Sequence, residues 1–119
     1  MKYVELGKSS IEVSEMGIGN VDFGTKVDEA AAFRVLDEFV DRGGTFVDTS
    51  NNYAQWNPGG QGGECESVIG RWMQARGNRD RIILATKVGA FVVEMPGDRD
   101  AAGYLTADPF TQGEGLSRA

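Results

Sequence analysis

Apolar residues recur at helical spacing in two stretches of the chain. In residues 28–42 they form one stripe of a predicted helix: Ala32, Val35, Leu36, Phe39 and Val40. Asp28 precedes this stripe as a candidate N-cap, and Gly43 follows it where a helix would end. Residues 64–76 repeat the spacing in a second predicted helix: Cys65, Val68, Ile69, Trp72 and Met73.

Short β-prone runs surround these two helices. Residues 2–6 and 11–14 predict a β-hairpin, and residues 16–20 predict a short strand. Residues 45–49 and 82–88 predict two further strands, and the last begins with the continuous apolar run of a strand covered on both faces. Because strands then alternate with helices, the strands are expected to be parallel, with right-handed crossovers.

Three segments follow from this pattern. Residues 1–15 form the hairpin, residues 16–89 hold three strands and two helices, and residues 90–119 form an irregular loop without a clear period. A loop of that length argues against a complete compact unit. A closed eight-stranded α/β barrel needs about 250 residues, so in such a barrel this chain would be less than half.

Composition narrows the possible functions. The chain has 12 Lys and Arg against 18 Asp and Glu, a net charge of −6, which argues against nucleic acid or an anionic membrane as a partner. A single cysteine, no signal-like N-terminus and no apolar run near 20 residues favour the cytoplasm. With no histidine in the sequence, no metal site is expected, and any chemistry falls to carboxylates, Lys, Tyr, Cys or the backbone.

Two ionisable residues follow predicted strands at the end where parallel α/β sheets place their active sites. Asp48 comes after T-F-V and Lys87 after I-L-A-T, and Tyr53 follows on the loop that leaves Asp48. An ammonium beside a phenol favours the phenolate, which makes the hydroxyl a better proton donor. The set suits carbonyl reduction, in which a hydride reaches carbon and a proton reaches oxygen.

Each residue taken singly also has a structural interpretation. A strand-end Asp often caps a turn, a strand-end Lys often reaches solvent, and a loop Tyr often packs as a lid. Gly59–Gly63 superficially resembles a phosphate loop but lacks its G-K-[ST] ending, so a surface loop is favoured. Cys65 on an apolar stripe suggests inert packing, whereas Trp56 in the polar loop is a candidate for a substrate pocket.

Three motifs resemble the aldo-keto reductases over about residues 6–88. They are G-G-T-F-V-D-T-S-N-N-Y from Gly43, G-E-C-E-S-V-I-G from Gly63 and I-I-L-A-T-K-V-G from Ile82. The resemblance implies an α/β fold, the N-terminal part of a (β/α)8 barrel with an N-terminal hairpin, incomplete in this chain. It also implies reduction of aldehydes or ketones with NADPH as cofactor.

The resemblance implies a role for each matching residue. Tyr53 would be the proton donor, Lys87 would promote its ionisation and Asp48 would hold Lys87. Residues 19–21 (Gly19, Asn20 and Val21) would lie near the nicotinamide, with Asp48 near its ribose. Two departures are Cys65 where the family usually has serine, and the absence of the family's fourth catalytic residue, a histidine on the fourth strand.

Several functional alternatives follow. The favoured one is an N-terminal piece of a reductase, inactive by itself, whose barrel needs a second chain or copy. The others are a regulatory subunit that binds the cofactor without much turnover, and a half-barrel that associates with itself.

Overall fold

The computed structural model describes residues 1–89, 92, 94 and 97–107 of the chain. The elements, in chain order, are β1 (Tyr3–Glu5), β2 (Glu12–Ser14), β3 (Gly17–Gly19), α1 (Glu29–Asp41), β4 (Phe46–Asp48), α2 (Glu64–Arg76), a 3₁₀ turn (Arg79–Arg81) and β5 (Ile83–Ala85). Every element predicted between residues 2 and 88 is present, although the strands are shorter than predicted.

The strands form two separate sheets. β1 and β2 pair antiparallel as the predicted hairpin. β3, β4 and β5 pair parallel in that order, so that Gly19, Asp48 and Ala85 lie side by side at one edge of the sheet. The fold of the described residues is therefore a partial parallel α/β unit, and within them the sheet does not close into a barrel.

Helix α1 begins and ends where its sequence predicts. The Asp28 carboxylate accepts a hydrogen bond from the Ala31 N–H, which satisfies one free donor of the first turn. After the helix, Gly43 adopts a φ of 89°, a left-handed conformation that suits glycine. Gly43 therefore lets the chain turn from the end of α1 toward β4.

Both helices contribute to one hydrophobic core with the sheet. Its buried members are Phe23, Ala32, Leu36, Val40, Val47, Ala54, Cys65, Val68, Ile69, Trp72 and Ile82. Burial of Val35 is the part of the predicted stripe that is wrong, since that side chain is 46% exposed. It lies at the edge of the stripe, which in α1 centres on Ala32, Leu36 and Val40.

The predicted loop 90–119 lies mostly outside the described residues. Among those described, Arg99 and Leu105 form an isolated antiparallel bridge. The described residues from 97 to 107 are therefore joined to one another locally by this bridge.

Candidate active site at the ends of the parallel strands

Backbone hydrogen bonds continue past the ends of β4 and β5 and fix the loops that follow. The Thr49 N–H donates to the Ala85 carbonyl at 2.8 Å, and the Asn51 N–H donates to the Lys87 carbonyl at 3.2 Å. The ladder therefore continues to Asn51 after β4 and to Lys87 after β5. It holds Lys87 beside the segment that leads from Asp48 to Tyr53.

The three predicted catalytic side chains meet at this edge. Lys87 Nζ lies 2.7 and 2.8 Å from the two carboxylate oxygens of Asp48, and 3.0 Å from Tyr53 Oη. The ammonium also donates to the Thr49 carbonyl at 2.8 Å. Tyr53 Oη in turn lies 3.2 Å from Asp48 Oδ2, which closes a triangle of carboxylate, ammonium and phenol.

The electrostatics keep the Lys87 ammonium charged. Burial lowers the pKa of Lys87, but the hydrogen bonds to Asp48 and Tyr53 together outweigh it and raise the pKa above its ordinary 10.5. About half of the Lys87 side chain, 49%, stays exposed, as does 38% of Asp48. The triangle is thus a charged site that remains open to a ligand.

Trp56 lies beside the phenol. The Tyr53 and Trp56 rings meet edge to face, with centroids 6.1 Å apart and planes inclined by 68°. Between them Ala54 is buried with a φ of 72°, a left-handed conformation that is uncommon for a residue with a side chain. Trp56 is 36% exposed, so one part of its indole faces solvent next to Tyr53.

Residues 19–21, expected near a cofactor, differ in their exposure and in their side-chain hydrogen bonds. Gly19 is exposed and its Cα has open space around it, and Val21 is 42% exposed. Asn20 is buried, and its side chain donates to the Asp48 carbonyl at 2.8 Å and accepts from Thr49 Oγ1 at 2.9 Å. Asn20 therefore braces β3 against β4 with its side chain, a role that sequence reasoning missed.

The Cys65 thiol also holds Asn20 in place, through the Asn20 backbone. Its thiol donates to the Asn20 carbonyl at 2.8 Å and approaches the Phe23 carbonyl at 3.3 Å. The side chain is fully buried, and burial raises the pKa of the Cys65 thiol to about 12. A thiol that stays protonated is a poor nucleophile, which agrees with its interpretation as packing.

Two amides of the glycine-rich loop before α2 are already hydrogen-bonded to a carboxylate of the chain itself. The N–H groups of Gln61 and Gly62 donate to the Glu64 carboxylate at 2.6 and 2.8 Å. An anion at the start of this helix is therefore supplied by the chain itself, which favours the surface-loop interpretation. Among the described residues, no three His, Cys, Asp or Glu side chains are grouped to hold a metal ion. Neither described helix has the length and apolar character needed to span a membrane.

Comparison with known proteins identifies the family. The model of the Aldo/keto reductase family matches residues 15–108, so this chain belongs to that family. A relative from Bacillus subtilis (strain 168), the uncharacterized oxidoreductase YrpG, is 43% identical over 89 residues, which are 74% of this chain and 26% of the relative. The aryl-alcohol dehydrogenase [NADP(+)] of Phanerodontia chrysosporium is 42% identical over 98 residues, covering 74% of this chain and 23% of the relative.

A solved structure agrees with the fold. The aldo-keto reductase AKR11C1 from Bacillus halodurans, in its holo form, superimposes with a TM-score of 0.62 at 37% identity. The match covers 82% of this chain and 28% of that protein. This chain therefore spans about a quarter of the length of the proteins to which it is compared, and the predicted relation to a (β/α)8 barrel is confirmed.

Proposed function

We propose that this chain supplies the proton-donating side of the active site of an NADPH-dependent aldehyde or ketone reductase. The observation that best supports the proposal is the position of Lys87 Nζ, which lies within 3.0 Å of both Tyr53 Oη and the Asp48 carboxylate. An aldo-keto reductase that reduces a carbonyl needs a group to protonate the developing alkoxide. In this proposal Tyr53 provides that proton.

Each side chain then has a distinct task. The Tyr53 oxygen accepts a hydrogen bond from Lys87, and its O–H gives up the long 3.2 Å bond to Asp48 when it turns toward a substrate oxygen. As the proton leaves, the ammonium stabilises the phenolate that forms. Asp48 holds the ammonium in place through both carboxylate oxygens.

The cofactor is expected to lie along residues 19–21. Gly19 is exposed and pairs with Asp48 at the sheet edge, which leaves an open backbone surface on which a flat ring can rest. A nicotinamide bound there would supply the hydride for the carbonyl carbon. Asn20 would contribute by position alone, because its side chain is used within the protein. The preference for NADPH over NADH is supported by the name of the fungal aryl-alcohol dehydrogenase.

The substrate is proposed to be a small carbonyl compound, and aromatic aldehydes are the first class to test. The indole of Trp56 lies edge to face with Tyr53 and is part exposed, so it offers an aromatic wall beside the proton donor. The relative that acts on aryl alcohols supports the same choice. A cytoplasmic location and a second chain that completes the barrel remain predictions that belong to this proposal.

The experiment uses a chimera, because this chain covers 28% of the comparable barrel. Residues 1–107 are joined to the remaining part of the Bacillus halodurans enzyme, and NADPH consumption is followed with a panel of aromatic aldehydes. We expect Tyr53→Phe to lower kcat at least about 100-fold while the Kd for NADPH stays the same, since a general acid contributes 10² or more. Tyr3→Phe, the same change on the hairpin, is the matched control.

The other outcomes separate the alternatives. Near-normal turnover in Tyr53→Phe would refute the assignment of the proton donor. A chimera that binds NADPH but reduces none of the aldehydes would favour the regulatory subunit. The 119-residue chain assayed alone is expected to show no turnover.

A further inference from the structure

Arg99 directs its guanidinium at the loop that follows Tyr53. Four of its hydrogen bonds go to backbone carbonyls, at 3.1, 2.9, 2.7 and 2.8 Å: those of Gln55, Asn57, Gly60 and Gly103. Two more, at 2.8 and 2.9 Å, go to the Glu94 carboxylate. Only 21% of the Arg99 side chain is exposed, although it is a charged residue in a loop.

The loop of residues 54–60 is held to the segment 92–107 at further points. The Leu105 N–H donates to the Trp56 carbonyl at 3.0 Å. The Gln55 amide donates to the Val92 carbonyl at 2.8 Å and accepts from the Val92 N–H at 3.1 Å. The backbone on both sides of Trp56 is therefore tied to residues that lie about 40 positions later in the chain.

The shape of this loop brings three of its carbonyls to the Arg99 guanidinium. A Cβ at Gly60 would lie 1.9 Å from the Ala54 carbonyl oxygen, so the two ends of the loop are in direct contact. In this tight turn the carbonyls of Gln55, Asn57 and Gly60 all accept hydrogen bonds from the guanidinium, whose positive charge offsets the repulsion between their negative ends. A planar guanidinium with five N–H donors can serve all three, which the point charge of a lysine does less well.

We propose that Arg99 is a positioning residue that holds loop 54–60 closed and thereby sets Trp56 beside Tyr53. Its effect on substrate selection rests on the proposed function, because it acts through Trp56 and touches neither substrate nor cofactor in that scheme. The same closure holds Ala54 in its left-handed conformation, which is uncommon for a residue with a side chain and which a freed loop would abandon. Loss of Arg99 is thus expected to release the loop while the sheet and helices stay folded.

The chain carries its own internal control for this idea. It has two tryptophans: Trp56 in the loop and Trp72 in the core, the latter with no exposed surface. Fluorotryptophan incorporation gives each a separate fluorine NMR signal, which Trp56→Phe assigns. In Arg99→Met, and to a smaller extent in Arg99→Lys, we expect the Trp56 signal to move toward its position in unfolded chain while the Trp72 signal stays unchanged.

Glu94→Gln distinguishes the hydrogen bonds from Arg99 to the four carbonyls from its ion pair with Glu94. It removes the charge that pairs with Arg99 but leaves the four carbonyl bonds, so the Trp56 signal should remain near its wild-type position. An unchanged Trp56 signal in Arg99→Met overturns the proposal. If Arg99→Met unfolds the whole chain, Arg99→Lys decides, and movement of both signals there assigns Arg99 to general stability and also overturns the proposal.

Kinetics in the chimera test whether Arg99, by holding loop 54–60, affects the selection of aromatic aldehydes. Arg99→Lys should raise KM for aromatic aldehydes about tenfold while the Kd for NADPH is unchanged, as expected when a pocket wall is displaced. Equal KM values in Arg99→Lys and wild type would overturn the proposed effect on selectivity. A wild-type chimera without turnover would contradict the proposed function instead, and the NMR result would still decide whether Arg99 holds the loop.

Discussion

Two clusters in this protein contain the same kinds of chemical group but differ in whether their donors can lose a proton. Between the helices, Asp37 accepts hydrogen bonds from the Trp72 indole N–H at 2.8 Å and from Arg76 at 2.9 and 2.8 Å. At the sheet edge, Asp48 accepts from the Tyr53 phenol and from Lys87. Each cluster is thus a carboxylate, a cation and an aromatic hydrogen-bond donor.

The difference lies in which donors can give up a proton. An indole N–H and a guanidinium keep their protons at any pH at which the protein is folded, whereas a phenol and an ammonium can lose theirs. Trp72 is also fully buried in the core, while the Lys87 side chain is 49% exposed. The count of charges therefore does not distinguish a structural cluster from a reactive one; the acidity and accessibility of the donors do.

The largest loss of stability is expected when Trp72, the aromatic member of the Asp37 cluster, is removed. Trp72→Ala is expected to lower the free energy of unfolding by about 3–5 kcal/mol, because it empties a core position and leaves Asp37 without its indole partner. Urea denaturation of the purified chain measures it. Tyr53→Phe should cost less than about 1 kcal/mol in the same assay, since only its hydroxyl is lost. Similar losses in both variants would contradict the division between the clusters.

A smaller effect is expected at the acidic end of the pH scale. The hydrogen bonds from Arg76, which outweigh an opposing effect of burial, hold the pKa of Asp37 below its ordinary 3.8 with help from Trp72. A depressed pKa stabilises the folded state above 3.8, and this contribution is lost as the pH falls through the folded value. Asp37→Asn should therefore cost about 0.5–1 kcal/mol at neutral pH and lose less stability than wild type on acidification. Parallel pH curves for the two proteins would rule this out.

The smallest effect on stability is expected at alkaline pH, from the cluster of Asp48, Tyr53 and Lys87. The raised pKa of Lys87 stabilises the folded state below 10.5, and this contribution is lost as the pH rises through the higher folded value. The buried Cys65 thiol contributes in an overlapping range, from 9.0 to about 12, so the comparison is made in a Cys65→Ser background. In that background Lys87→Met should flatten the alkaline loss of stability by a few tenths of a kcal/mol, as for other exposed pairs. An unchanged slope would show that the triangle contributes nothing to folding.

The sequence predicted the two helices, the parallel strands and the meeting of Asp48, Tyr53 and Lys87, because each of these features has a local signal. Apolar spacing marks the helices, and a strand that ends on an ionisable residue marks the site edge. Sequence reasoning named Asn20 only as a residue near the cofactor and did not name Arg99 at all. The partners of these two side chains lie 28 and about 40 residues away and are mostly backbone carbonyls. Any residue type presents a carbonyl, so the sequence holds no pattern that would reveal those contacts.

The left-handed backbone of Ala54 has a consequence for the variation that position 54 can tolerate. A φ of 72° disfavours bulky and β-branched residues, and full burial disfavours the Asn and Asp that otherwise accept this conformation. Glycine and alanine are left as the acceptable choices. In a saturation library of the chimera selected for NADPH-dependent turnover, position 54 should therefore be nearly as narrow as Tyr53, although Ala54 has no reactive group.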